Sequence, residues 1–204
     1  MTGSFLLVLD MTNDFVNANR PAAQGPIPFA AACDEAVRRG IVRATAQAIA
    51  RARDAKVPIG YVRVGFSPDY RECSRQSPMF RKLIGTTILQ LGTWGTEVHP
   101  DLAPKPGDYD IVKHRVSPFY ATKLEPILRT LRVSRLYLCG VSTTGAVQSA
   151  VKEGHDRDYE CVLIEDCCAA SSQDEHDSAV AGMSRYLSAI ATAASVNFHS
   201  VNSE

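Results

Sequence analysis

The sequence FLLVLD at residues 5–10 decides the fold. Five apolar residues in a row end on an acidic residue, a pattern typical of a strand buried on both faces. Two further runs have the same form: YDIVK at 109–113 ends on a lysine, and RLYLC runs into the glycine-containing turn GVSTTGA, together residues 135–146. Parallel strands end at one edge of their sheet, where ligands bind. We therefore expect Asp10, Lys113 and this turn to converge on one site.

Short apolar runs and helix-length periodic segments alternate along the whole chain. The predicted strands are residues 5–9, 59–64, 109–112, 135–139, 161–164 and 194–198. The predicted helices are residues 35–56, 123–131, 145–157 and 173–193, the last in one or two pieces. This alternation is typical of repeated βαβ units. It predicts an α/β protein with a six-stranded parallel β-sheet flanked by helices on both faces.

Two segments lack a sustained period and are predicted to be loops. Residues 65–107 contain five prolines and scattered charges, which indicates loops with short helical turns above the strand ends. Residues 17–28 form a second expected flap. Long loops in compact domains are usually functional or mobile, so we expect substrate specificity to lie in them.

The composition limits the classes of function. With 204 residues, the chain is predicted to be a single domain over 1–204. Lys plus Arg and Asp plus Glu each number 22, so no global charge favours binding to nucleic acid. The apolar runs are too short to cross a membrane. The six cysteines lack metal-ligand spacing, and no leader pattern precedes residue 5, so we expect a cytoplasmic protein with reduced thiols.

Each element of the expected site has two interpretations. Asp10 follows an apolar run, where desolvation raises the pKa of a carboxyl group and favours a proton acceptor, but turn-forming aspartates also occupy strand ends. Lys113 could steer charge beside that carboxylate, or could simply point to water. The turn at 140–146 could offer backbone N–H groups to an oxyanion, or could be an ordinary connection whose hydroxyls cap a helix.

Together the motifs resemble the isochorismatase-like hydrolase superfamily. The resemblance rests on DMTNDF at 10–15, Lys113 and GVSTTGAV at 140–147, in this order, and continues at 156–159, at 165–170 and to Glu175 and His176. It implies a three-layer Rossmann-like fold and hydrolysis of a small-molecule substrate. It also implies a homo-oligomer, a dimer or a tetramer, and no cofactor.

In the superfamily's amidases an aspartate, a lysine and a cysteine form the catalytic triad. Carried onto this sequence, the resemblance implies that Asp10 is the base, that Lys113 is the triad lysine and that Ala146 stands at the position of the nucleophile. It further implies a cis peptide between Val141 and Ser142. The backbone N–H groups of Ser142 and Ala146 would then stabilise an oxyanion.

Ala146 cannot attack a substrate, because a methyl group has no lone pair. Three functions remain open. The first is a hydrolase without a cysteine nucleophile, in which Asp10 is the general acid or base, as in true isochorismatases. The second is an amidase whose nucleophile has been replaced, naturally or deliberately, by Ala146. The third is a noncatalytic member that binds a metabolite in the retained cleft.

The resemblance also indicates where related proteins bind a metal and where the substrate pocket would lie. Nicotinamidase-type members hold a metal after the second strand, but VRVGF at 62–66 offers no ligand, so we expect no bound metal. The predicted substrate-binding residues are Arg63, Phe66, Tyr70, Trp94, Phe119 and Tyr120. Arg63 is the preferred partner for a substrate carboxylate. His114 and Arg115 are weaker candidates.

Overall fold

A strand buried along its whole length forms the centre of the protein. A computed structural model describes residues 3–20 and 29–199. Its strands are β1 (Gly3–Leu9), β2 (Ile59–Val64), β3 (Tyr109–Lys113), β4 (Val133–Val141), β5 (Glu160–Ala169) and β6 (Ala189–Ala191). They form one six-stranded sheet in the order β3-β2-β1-β4-β5-β6, with every pair parallel. The predicted six-stranded parallel sheet is confirmed.

Helices flank this sheet. They are α1 (Asn13–Val16), α2 (Ala30–Arg39), α3 (Ile41–Asp54), α4 (Leu124–Thr130), α5 (Gln148–His155) and α6 (Gln173–Met183). The chain moves from β1 to β2 in one direction across the sheet and from β4 to β5 in the other. Because such crossovers are right-handed, α3 and α5 lie on opposite faces.

The chain reverses its direction across the sheet between β1 and β4, which are neighbours. A crevice at the carboxyl ends of strands forms at such a switch point. Here Leu9 pairs with Gly140, which has a φ of 123°. A Cβ atom at Gly140 would collide with the backbone carbonyl of Leu9. The two strands therefore approach so closely that only glycine fits, which brings Asp10 beside the turn that follows β4.

The first long helix is interrupted, contrary to the prediction of one helix over 35–56. Gly40 adopts the left-handed conformation with a φ of 66° and separates α2 from α3. The N–H of Gly40 donates to the carbonyl of Val37 and closes α2. Helical periodicity continues across this residue, so the sequence pattern conceals a change in helix direction that glycine permits.

The carboxyl-terminal part also differs from the prediction. The helix over 173–193 ends at Met183, and the last strand is Ala189–Ala191, so the predicted strand at 194–198 is wrong. Ser188 starts the pairing with β5, because its N–H donates to the carbonyl of Cys161 at 2.8 Å. Beyond the strand, the carbonyls of Ala194 and Val196 accept hydrogen bonds from Arg51 rather than from a neighbouring strand.

The remaining predicted elements are present with shifted ends. The segment 145–157 begins as a wide helical turn at Thr143–Val147 and continues as α5. The loop 65–107 contains short 3₁₀ turns at Phe80–Leu83, Trp94–Thr96 and Pro100–Leu102, as predicted. Most of the predicted flap at 17–28 lies outside the described residues.

Candidate active site

Asp10 immediately follows the central strand β1 and is 3% exposed. Its N–H donates to the carbonyl of Val62 at 2.8 Å, and its Oδ1 accepts the N–H of Val64 at the same distance. These bonds tie Asp10 to the end of β2 on one side. Asp10 has a φ of 52°, in the left-handed region that aspartate tolerates better than most residues. The backbone thus fixes the carboxylate at the switch point.

Lys113, at the end of β3, reaches across β2 to the same carboxylate. Its Nζ lies 2.7 Å from Oδ2 of Asp10 and donates to the carbonyl of Val116 at 2.7 Å. The lysine is 1% exposed. Burial raises the pKa of Asp10 above 3.8, while Lys113 and the N–H of Val64 oppose that shift. Asp10 and Lys113 therefore form an enclosed ion pair whose carboxylate is more basic than a solvated aspartate.

The turn after β4 borders the same space. The peptide bond between Val141 and Ser142 is cis, as the resemblance implies. The carbonyl of Ser142 accepts the N–H groups of Gly145 and Val147, at 3.1 and 3.2 Å, which closes the turn. Ala146 is 4% exposed and its side chain lines the cavity beside Asp10. First-turn N–H groups lack partners within their helix, so this turn can present donors to a ligand.

Asp10, Lys113 and Ala146 line one cavity of about 230 Å³. Most of its wall is apolar and comes from α1, α2 and the loop after β2. The main apolar side chains are Phe15, Phe29, Met79, Phe80, Leu83 and Leu89. This volume lies below the usual range of about 300–1,000 Å³ for drug-sized ligands. The cavity therefore suits a small metabolite with an apolar part.

The geometry contradicts the predicted placement of Arg63 in this cavity. Arg63 Nε and Nη2 each lie 2.7 Å from a carboxylate oxygen of Asp110, on the neighbouring strand β3. Its Nη1 donates to the carbonyl of Thr96 at 2.6 Å. Side chains alternate along β2, so Val64 lines the cavity and Arg63 points to the opposite face.

None of the five predicted aromatic residues is among the described residues that line the cavity. Phe66 and Tyr70 belong to the apolar cluster that also contains the cavity-lining Phe80 and Leu83, and the ring centroids of Phe66 and Phe80 lie 5.5 Å apart. Tyr70 donates its hydroxyl to the carbonyl of Ile88 at 2.6 Å. Trp94 and Tyr120 are 39% and 61% exposed. Phe119 packs in the main core, where its ring contacts the side chains of Tyr159 and Arg157. Through its contact with Phe80, Phe66 therefore supports the cavity wall without lining it.

The weaker candidate Arg115 does line the cavity. It follows β3 by two residues, and its Nη1 donates to the carbonyls of Glu72 and His114 at 2.9 and 2.6 Å. His114 turns away, and its ring Nδ1 lies 2.6 Å from the carbonyl of Gly65. The structure therefore places Arg115, rather than Arg63, as the second cationic side chain at the site.

The family model described as the isochorismatase domain matches residues 4–195, nearly the whole chain. The chain belongs to the isochorismatase family. It is therefore an isochorismatase-family hydrolase, and the family predicted from the motifs is confirmed. The match spans β1, β3 and the turn after β4, the elements that carry Asp10, Lys113 and Ala146.

Proteins similar to this chain include amidohydrolases. The ureidoacrylate amidohydrolase RutB of Methylorubrum extorquens is 30% identical over 173 residues, which cover 79% of this chain and 67% of that protein. The uncharacterized isochorismatase family protein YecD of Escherichia coli is 30% identical over 164 residues, 77% of this chain and 80% of that protein.

Solved structures of the isochorismatase family share the fold. An isochorismatase family protein from Desulfovibrio vulgaris superposes with a TM-score of 0.79 at 24% identity, covering 94% of this chain and 95% of that chain. N-carbamoylsarcosine amidase from Thermoplasma acidophilum gives a TM-score of 0.74 at 24% identity, covering 97% and 100%.

A buried polar network supports the turn from behind, and its contacts are not predicted by the sequence pattern. The Oγ1 of Thr143 lies 2.8 Å from Nδ1 of His176, and Nε2 of His176 lies 2.6 Å from a carboxylate oxygen of Glu165. Arg39, at the end of α2, pairs with Glu165 at 2.7 Å. Thr143 and His176 are both fully buried. The network thus links α2, β5 and α6 to the residue that follows Ser142.

His176→Ala should lower the free energy of unfolding by about 2–4 kcal/mol, because it leaves buried polar groups without partners and opens a cavity. Urea denaturation followed by circular dichroism measures this change. His155, which is exposed on α5, provides the matched control, and His155→Ala should change stability by less than about 1 kcal/mol. Equal effects of the two substitutions would show that the network does not stabilise the fold.

All six cysteines lie in the described part of the chain, and none of them lines the cavity. All six are buried and free. Burial raises the pKa of Cys33, Cys161 and Cys168 to about 12, and it raises the pKa of the other three as well. None of these thiols is placed or activated to substitute for a nucleophile at residue 146.

Within the described ranges 3–20 and 29–199, no group of three His, Cys, Asp or Glu residues could hold a metal ion. In the same ranges no helix is long and apolar enough to cross a membrane.

Proposed function

We propose that the protein hydrolyses a small molecule by direct attack of water, with Asp10 as the general base. One observation carries this proposal. A buried carboxylate with a raised pKa lines a cavity together with Ala146, a residue that cannot form a covalent intermediate. The proton-transfer group is present and residue 146 offers no nucleophilic side chain, so we infer that water is the nucleophile.

The proposed reaction cleaves a carbonyl carbon–nitrogen bond. Asp10 takes a proton from water as the water oxygen adds to the carbonyl carbon, and the carbonyl oxygen becomes negatively charged. Backbone N–H groups of Ser142 and Ala146 stabilise this oxyanion. Asp10 then returns the proton to the departing nitrogen, and the carbon–nitrogen bond breaks. The products are a carboxylic or carbamic acid and an amine or ammonia.

Lys113 would hold the Asp10 carboxylate in the position and in the ionised form that the reaction requires. The ion pair of 2.7 Å fixes the carboxylate, and the carbonyl of Val116 in turn fixes the ammonium group. The names of the similar proteins support the choice of bond, because RutB is an amidohydrolase. The small cavity volume of about 230 Å³ supports a small substrate.

A second function is favoured by the position of Ala146. Its side chain lines the cavity with the base, the lysine and the turn that an amidase with a cysteine nucleophile requires. The protein would then be an amidase framework that lacks only the thiol. Restoring the thiol distinguishes this alternative from attack by water.

Hydrolysis in ¹⁸O-labelled water tests the proposed function. Purified protein is incubated with a panel of amides, N-carbamoyl compounds and vinyl ethers, and products and intact protein are analysed by mass spectrometry. We expect an ¹⁸O-labelled acid and no covalent adduct. The base must be ionised, so the rate should rise with pH, with a midpoint above the ordinary value of 3.8.

Two outcomes would contradict water attack. The absence of any product across the panel would favour a metabolite-binding function. An acylated protein would show that a side chain is the nucleophile, and peptide mapping would identify it. The hydroxyl-bearing residues that line the cavity, Ser142, Thr144 and Ser171, are the first to inspect.

A further inference from the structure

Arg115 differs in its partners from Arg39, Arg53 and Arg63, three other partly buried arginines. Arg39, Arg53 and Arg63 each lie within 2.6–2.7 Å of a carboxylate oxygen. In the described part of the chain, Arg115 forms no ion pair, and its Nη1 donates only to two backbone carbonyls. The guanidinium charge is therefore fixed in place without being neutralised.

The charge balance of the cavity follows from its lining. Asp10 is the only acidic residue among the described residues that line it, and it is paired with Lys113. No acidic residue of this lining balances the charge of Arg115, so the described lining carries one net positive charge. Apolar walls strengthen the attraction between this charge and an anion, because they lower the local dielectric constant.

The geometry of the guanidinium suits a carboxylate. Both bonds of Arg115 to backbone carbonyls use Nη1. Within the described residues, the edge formed by Nε and Nη2 donates to no protein atom. This is the edge with which Arg63 binds Asp110 through two parallel hydrogen bonds. A free edge of this kind binds a carboxylate in a bidentate manner.

We propose that the substrate is a small carboxylic acid derivative and that Arg115 binds its carboxylate. The apolar part of the substrate packs against Phe29, Phe80 and Leu83, and the bond to be cleaved lies at Asp10 and the turn. The assignment of the cleaved bond rests on the proposed function. The carboxylate site itself rests on Arg115 and on the charge of the cavity.

Equilibrium binding of matched probes tests this proposal. Benzoate and benzamide, and propionate and propionamide, have similar shapes but differ in charge. Isothermal titration calorimetry gives each dissociation constant, and NMR of the same mixtures reports any cleavage of the amides. In the wild-type protein, at least one carboxylate should bind about tenfold or more tightly than its amide.

Substitutions then test whether Arg115 causes the preference for a carboxylate over its amide. Arg115→Gln should weaken binding of the preferred carboxylate by about tenfold or more and leave the matched amide within about twofold. Arg115→Lys keeps the charge but loses the planar fork, so we expect an intermediate loss. Arg75→Gln removes an exposed arginine from the loop after β2 and should change neither affinity. Thermal unfolding checks that each variant is folded.

The outcomes separate this inference from the proposed function. No preference for either carboxylate in the wild-type protein would overturn the inference, as would unchanged carboxylate binding in folded Arg115→Gln protein. Arg115-dependent carboxylate binding without turnover of any substrate would support the inference and contradict the hydrolase. Turnover that depends on Asp10, without any preference for carboxylates, would support the hydrolase and contradict the inference.

Discussion

Asp10→Asn should reduce the rate of hydrolysis by about 10²–10⁴-fold, the usual contribution of a positioned general base. Asparagine has nearly the same size and can still accept the N–H of Val64, but it cannot take a proton from water. Steady-state assays on a substrate found in the panel measure the loss as kcat/KM. A small effect would show that another group accepts the proton.

The same substitution should also destabilise the fold. It leaves the ammonium group of Lys113, which is 1% exposed, without its counter-ion. Removal of one member of a buried ion pair typically costs about 3–5 kcal/mol. Urea denaturation gives the change in the free energy of unfolding. Loss of activity alone could therefore reflect partial unfolding, and a second variant is needed to separate the two effects.

The double variant Asp10→Asn/Lys113→Met provides that separation. Methionine replaces the buried ammonium group with an apolar chain of similar length, so much of the lost stability should return. Turnover should remain at the level of Asp10→Asn. If the double variant regained wild-type activity, Asp10 would be a structural residue and the proposed mechanism would be wrong.

The parts of the fold that the sequence predicts best are those with strong local signals. The apolar runs of β1 and β4 are too continuous for surface elements, and the polar residues at the ends of β1 and β3 mark one edge of the sheet. The interruption at Gly40 and the short strand β6 have weaker signals. The interruption depends on the left-handed backbone conformation of Gly40, and β6 depends on pairing with β5, which begins at the contact between Ser188 and the distant Cys161.

The two arginines show why the site was only partly predicted. Arg63 and Arg115 both lie near strand ends, and the sequence favoured Arg63. Its orientation depends on the strand's alternation and on Asp110, which lies diagonally across on β3, since Asp110 pairs with Tyr61 and Arg63 pairs with Val112. The contacts of His176 were similarly hidden, because its partners Thr143 and Glu165 lie 33 and 11 residues away. Sheet register decides the contact of Arg63, and the packing of α6 against the sheet and the turn decides those of His176.

Ala146→Cys should introduce one fast-reacting thiol into a protein that otherwise has none. The six native cysteines are buried and their pKa values are raised, so a native sample should react slowly with a thiol reagent such as 5,5′-dithiobis(2-nitrobenzoate). A thiol at residue 146 would face the cavity, near Asp10 as its base and Lys113 as a positive charge. We expect it to react about 100-fold faster than the native thiols.

The same variant tests whether the site is an amidase framework that lacks only its nucleophile. If it is, Ala146→Cys should release amine from an amide substrate in a burst equal to the protein concentration, with an acyl group on the peptide that carries the introduced thiol. Ala146→Ser is the matched control and should show neither effect. Adding Asp10→Asn to the cysteine variant should slow both labelling and the burst, because the thiol loses its base. A cysteine variant that reacts with the thiol reagent but cleaves no amide would leave attack by water as the better account of Ala146.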